Sequence, residues 1–326
     1  MLKKIKIFFI FVLIDSTILS NPIKDNDIAF ITNQESSKLD VVDLKKKEKI
    51  FEIDVGLKPA AIDIDNENKV VFIANPESNN VFIYNLKTDE RYFVEAGKSP
   101  MGISLSHDKK YVFVSNWYDN TVSVINYKKR KVEKIIPVGQ SPAGMALDKK
   151  NKKLYVANRE DNNVSLIDTI TLKEIKKISV EKAPFGVFTN QSNKNIYVTN
   201  VQSHSISVID KTNHELLKNI KVGKWPYQVA FNSKKNIGYV SNQRENSISI
   251  LDLKKLEIIE TKKDVCEYPE GIDISYIEKI IVVACWFEDS IILLDLDDLF
   301  IVKRIPMSGG PRAFGKFIMN RSYVNK

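Results

Sequence analysis

Histidine occurs three times and cysteine twice in 326 residues, too few for a paired-cysteine metal motif or a histidine-rich metal centre. Glycine contributes only 12 residues. None of them builds a phosphate-cradling loop, a dinucleotide fingerprint or a nucleophile elbow. Long apolar runs are also missing. The run over residues 7–14 falls well short of the roughly 20 apolar residues that a membrane-spanning helix requires, and nothing later resembles a span. Helical periodicity is absent throughout. Arginine is scarce, so lysine carries nearly all of the positive charge behind the formal net charge of +8, a moderately basic balance and no more.

What is present begins with Lys3, Lys4 and Lys6 ahead of the short apolar run, which stops at Asp15. This pattern predicts a signal peptide over residues 1–20, with cleavage after Ser20. No cysteine near the end of the run offers a lipid acceptor. The expected product is exported to the periplasm or cell surface, without a transmembrane anchor once the signal is removed.

A seven-fold repeat organises the rest. Segments such as IAFITN, VVFIAN, YVFVSN and NIYVTN end at Asn33, Asn75, Asn116, Asn158, Asn200, Asn242 and, in the last copy, Cys285. Successive ends lie 42, 41, 42, 42, 42 and 43 residues apart. A second element, as in VSLID, places an acid or amide ten residues after each end, from Asp43 to Asp295. A third, of the form Val-Gly-x-x-Pro-x-Gly, sets prolines at Pro59, Pro100, Pro142, Pro184, Pro226, Pro269 and Pro311. Short β-branched runs alternate with turn residues, so each unit reads as four strands: A after the proline, B and C at the first two motifs, D leading to the next Val-Gly.

Four-stranded antiparallel sheets of this length bury their faces by radial stacking. The predicted fold is all-β: a seven-bladed β-propeller over residues 21–320, with a tail over 321–326. The chain begins in phase with a B strand and ends with an unpaired A strand, so the C-terminal strand is expected to close the ring, residues 313–318 pairing with 28–33. The motifs resemble the YVTN family of β-propeller repeats, found in surface-layer-like proteins and periplasmic propellers, over about residues 28–318. The resemblance implies the fold and no catalytic residue. Ala61, Gln228 and Ala313 depart from its glycine, and Cys285 from its asparagine.

Strand alternation sorts residues by end of the ring. B-to-C loops and D-to-A crossings share one end, the crossing face. It receives Trp117, Tyr118, Arg159, His204, Arg244, Trp286 and Phe287 from the loops, and Trp225, Tyr227, Tyr268 and Arg312 from around the prolines. All three tryptophans fall there, which marks these residues as candidates for binding a ligand or partner around a central depression. His204 occupies a slot held by Asn or Asp in most other repeats and reads as a turn residue ahead of a ligand. Cys266 and Cys285 project toward the same face, as a disulfide or as two free thiols. The opposite face collects lysines, including Lys109, Lys110, Lys149 and Lys150, and would attract an anionic surface.

The sequence therefore predicts a non-enzymatic binding or scaffold propeller with a protein, glycan or other polymer partner in the cell envelope, and no cofactor or metal. The alternatives are a cofactor-carrying or lactonase-like propeller enzyme and a nucleic-acid-binding propeller that combines aromatic stacking with basic charge.

Overall fold

In a computed structural model, described over residues 26–190 and 194–320, the chain forms seven sheets, one per blade, each built on four antiparallel strands. The predicted signal peptide and the 321–326 tail lie outside the described residues. Blade 4 is representative, with strands Pro142–Asp148, Lys153–Asn158, Asn163–Asp168 and Lys173–Ser179 in the order A-B-C-D. Helix is limited to two single 3₁₀ turns among the described residues, Gln243–Glu245 and Trp286–Glu288. Among the described residues no helix is long and apolar enough to cross a membrane.

Burial follows the radial plan. In blade 4 the A strand PAGMALD is buried throughout, whereas the D strand KEIKKIS is mostly exposed. Branched side chains on both faces of B and C pack between blades, so one blade's core is completed by its neighbour. Lysine and glutamate on the D strands discourage edge-to-edge pairing with another molecule. Most C–D pairs carry a bulge, as between Leu166 and Ile167, which increases the twist of the outer strand.

The hydrogen-bond pattern gives the repeated motif a mechanical meaning. Where the chain crosses from a D strand to the next A strand, backbone N–H groups leave the ladder and need acceptors. At the crossing into blade 3, Gly97 donates to Asn116 Oδ1 at 3.0 Å, Lys98 to Asp119 at 2.7 Å and Ser99 to Asn79 at 2.8 Å. Two of these acceptors belong to the blade ahead and one to the blade behind. The same triple recurs at Gly139, Gln140 and Ser141. A Cβ on Gly97 would lie 2.5 Å from Asn116 Cγ, so the glycine is needed for this approach. The hydroxyl preceding the B-strand Asn also bridges blades: Ser115 accepts from Gly102 N–H at 2.8 Å and donates to Ala143 O at 2.5 Å.

Ring closure follows the expected route with one local departure. Arg312 N–H donates to Thr32 O at 2.8 Å, Phe30 N–H to Phe317 O at 2.9 Å, and Ile318–Met319 pairs antiparallel with Ala29 and Ile28. Between these contacts the segment leaves blade 1, and Phe314–Gly315 runs parallel to Ala61 and Ile62 of blade 2. The expected continuous pairing of 313–318 with 28–33 is therefore interrupted. Ala313 and Gly315 adopt positive φ of 48° and 122°, and the released backbone groups find side-chain partners in other blades. Gln228 Nε2 donates to Gly315 O at 2.7 Å and its Oε1 accepts from Gly315 N–H at 2.9 Å.

Candidate functional site

The crossing face carries most of the predicted aromatic and arginine residues on loops held by side-chain acceptors, Asp119, Asp161, Glu245 and Glu288. In blade 7, Phe287 lies edge-on to both Tyr268 and Trp286, with ring centroids 4.5 and 4.9 Å apart. Phe287 is 56% exposed. Directly beneath, Cys266 and Cys285 form a disulfide with Cα atoms 5.9 Å apart. Cys266 stands where four other repeats have the crossing glycine and Cys285 where all six have the B-strand asparagine, so a covalent bond replaces their contact.

Arg244 stacks over the Trp225 ring at 3.8 Å from its centroid, and Arg159 lies over Trp117 at 5.8 Å, both cation–π arrangements. Tyr118, 72% exposed, extends beside Trp117. His204 behaves as a turn residue: it has φ of 53°, and its Nδ1 stands 3.2 Å from Trp225 N–H. Asn120 and Asn162 accept at the equivalent position.

Tyr227 and Arg312 lie deeper. Tyr227 is 3% exposed, and burial pushes its phenol well above its ordinary pKa. Arg312 Nε donates to the Tyr227 hydroxyl at 2.5 Å and pairs with Glu270 at 3.3 Å. Gln243 holds the other Glu270 oxygen at 2.5 Å. Burial raises the Glu270 carboxyl above its usual range, against the opposing pull of Arg312. Below this network Phe314 packs against Phe185, Phe188 and Tyr227 with centroids 5.2, 6.0 and 5.2 Å away. The axis is thus filled with side chains toward the crossing face, in place of the expected depression.

An open cavity of about 420 Å³ lies beyond Phe314, toward the A-to-B turns. Of its charged lining, sequence reasoning placed Lys149 on this face but overlooked Asp63, Asp273 and Lys316. The signal was available: four residues after the proline, two repeats have Asp where others have Ser104, Ala146, Phe188 or Ala230. Backbone groups fix both carboxylates. Asp63 accepts from Leu105 and Ile64 N–H at 2.8 Å each. Asp273 accepts from Phe317 and Ile318 N–H at 3.1 Å each, and from Ile274 at 2.9 Å. Burial raises both carboxyls above the ordinary aspartate range, partly offset by the charge of Lys316 for Asp273 and by backbone donation for Asp63.

A family model described as a YNCE-like beta-propeller matches residues 21–194. No curated protein sequence matches the chain. Among solved structures, Kuenenia stuttgartiensis hydrazine synthase is similar at TM-score 0.71 and 19% identity, covering 78% of this chain and 88% of that one. A functionally unknown protein from Desulfotomaculum acetoxidans is similar at TM-score 0.75 and 12% identity, covering 89% and 100%. Dihydro-heme d1 dehydrogenase NirN, in complex with DHE, is similar at TM-score 0.67 and 14% identity, covering 90% and 75%. At these identities the likeness is one of fold.

Proposed function

This chain belongs to the YNCE-like β-propeller family, and from that premise we propose that it is a non-enzymatic binding propeller of the periplasm or cell surface, presenting its crossing face to a protein, glycan or other polymer. The observation that carries this reading is the placement of exposed aromatics and stacked arginines on rigid loops at one end of the ring. Tyr118 and Phe287 are exposed, Arg244 and Arg159 lie over Trp225 and Trp117, and hydrogen bonds or a disulfide hold each supporting loop. Pre-organised aromatic and arginine side chains bind with little loss of conformational freedom, which is why such residues dominate interfaces. Tyr227 and Arg312 support this surface from below and do not form part of it.

The test is crosslinking of the native protein in its own cell envelope, with identification of the captured material, in wild type and in a Tyr118→Ala/Arg244→Ala/Phe287→Ala variant. A discrete partner captured by wild type and lost from the variant is the expected result. Equal capture by both would overturn the reading. The hydrazine synthase and NirN folds motivate a second reading, a cofactor-carrying enzyme; a chromophore or metal co-purifying with native protein would favour it.

A further inference from the structure

The cavity at the A-to-B end is built asymmetrically. Each A strand delivers a residue to the axis at the same level, four positions after its proline. Asp63 of blade 2 and Asp273 of blade 7 stand on either side of the C-terminal segment. Across the ring, blade 5 places Phe188 between Ala146 of blade 4 and Ala230 of blade 6. One wall is acidic and the facing wall is aromatic, with small neighbours that leave room beside the ring. Phe314 closes the floor. The volume of about 420 Å³ lies within the roughly 300–1,000 Å³ typical of small-molecule sites.

Charge decides what such a cavity takes. Asp63 and Asp273 receive their hydrogen bonds from backbone N–H groups, which fix the oxygens in place without cancelling the formal charges. Lys149 and Lys316 also line the cavity but have exposed side chains, where water and salt weaken their influence over about 8 Å. The carboxylates are half-buried in the cavity wall, where a charge pair is worth more than at the exposed surface. Burial already disfavours their ionised form, so a cation arriving beside them relieves an unfavourable state. The half-buried acidic wall therefore outweighs the exposed lysines.

We propose that this cavity binds a small organic ammonium ion with an apolar body, its charge against Asp63 and Asp273 and its body against Phe188, Ala146 and Ala230. The ammonium can belong to a simple amine or to an amino-acid zwitterion whose carboxylate meets Lys149 and Lys316 at the mouth. The site is distinct from the crossing face, from which Phe314 separates it.

Calorimetric titration with four probes that share one aromatic body tests the proposal: phenethylamine, phenylalanine, 2-phenylethanol and phenylacetate. The full chain should bind phenethylamine at least tenfold more tightly than 2-phenylethanol, with phenylacetate weakest. Phenylalanine binding more tightly than phenethylamine identifies the zwitterion as the source, and the reverse order the simple amine. Asp63→Asn/Asp273→Asn should abolish the preference for the amine over the alcohol. Ala146→Leu, which leaves both carboxylates in place, should weaken binding of the amine at least tenfold in a chain that still melts cooperatively. Equal binding of amine and alcohol, preference for phenylacetate, no binding of either ammonium probe at millimolar concentration, or indifference to Ala146→Leu would each overturn the proposal.

Discussion

Asn116 illustrates how a repeated residue can be essential to a blade and silent about function. Its side chain accepts the Gly97 N–H and donates to Thr121 and Ser123, tying a crossing loop to the B and C strands. Asn158 does the same at Gly139. Asn158→Ala leaves the buried Gly139 N–H without its acceptor and should cost about 1–3 kcal/mol, measured by urea unfolding. Cys266 and Cys285 are 19 residues apart, the same spacing as Gly97 and Asn116. The double substitution Cys266→Gly/Cys285→Asn should therefore recreate the ordinary hydrogen-bonded crossing. It should fold and lose no more than the roughly 3 kcal/mol expected of a short disulfide loop; a chain that fails to fold would show that the bond does more than replace this contact. At Asp273 the consequence is pH dependence. The folded carboxyl has a pKa above the ordinary 3.8, so its contribution is fully present below that value and declines as pH rises through the folded pKa. Wild-type stability minus that of Asp273→Asn should accordingly fall with rising pH above 3.8, in urea unfolding performed across a pH series.

Among the elements, the C-terminal segment departs most from a regular strand. The phase of the repeats made its existence and its partner legible: a chain that starts at B and ends at A can complete only one blade. Its bulge was not legible, because the groups that receive it come from far away in the sequence. Gln228 clasps Gly315 from blade 6, and Asp273 caps Phe317 and Ile318 from blade 7. Gln228 departs from the repeat glycine and Asp273 from its small or apolar counterparts, and only the closed ring shows that both serve one segment. The bulge carries Phe314 into the axis, where it is 3% exposed. Phe314→Ala should cost about 3–5 kcal/mol, the usual range for emptying a buried aromatic site. Deleting residues 312–326 should be more severe, exposing the B strand of blade 1 as a free edge and giving insoluble or cooperatively destabilised protein. A truncated chain that melts like wild type would refute the closure scheme.

For the whole molecule, the seven-fold pattern made the fold readable almost completely, because three motifs in one register leave few ways to stack the sheets. The candidate sites were only partly readable. Loop aromatics such as Phe287 and Tyr118 could be assigned to a face from strand direction alone, but of two residues assigned to the same surface Tyr227 is buried and Arg312 is partly buried. The cavity residues Asp63, Asp273 and Phe188 belong to blades 2, 7 and 5 and meet only when the ring closes. Closure should also govern how the molecule unfolds. An open stack of repeats has terminal units that can fray, with stability close to a sum of nearest-neighbour terms. A closed ring has no terminal unit, since blade 1 contains both ends of the propeller. The three tryptophans report from different places: Trp117 from blade 3, Trp225 from the crossing into blade 6 and Trp286 from blade 7. In the intact ring, tryptophan fluorescence and far-ultraviolet circular dichroism should follow one coincident transition in urea. In Phe314→Ala, where the plug that joins blades 1, 2, 5 and 6 is lost, the two signals should separate as blades near the closure open first. Coincident curves in both proteins, with only the midpoint shifted, would mean that contacts between neighbouring blades are sufficient to keep the ring cooperative without its C-terminal plug.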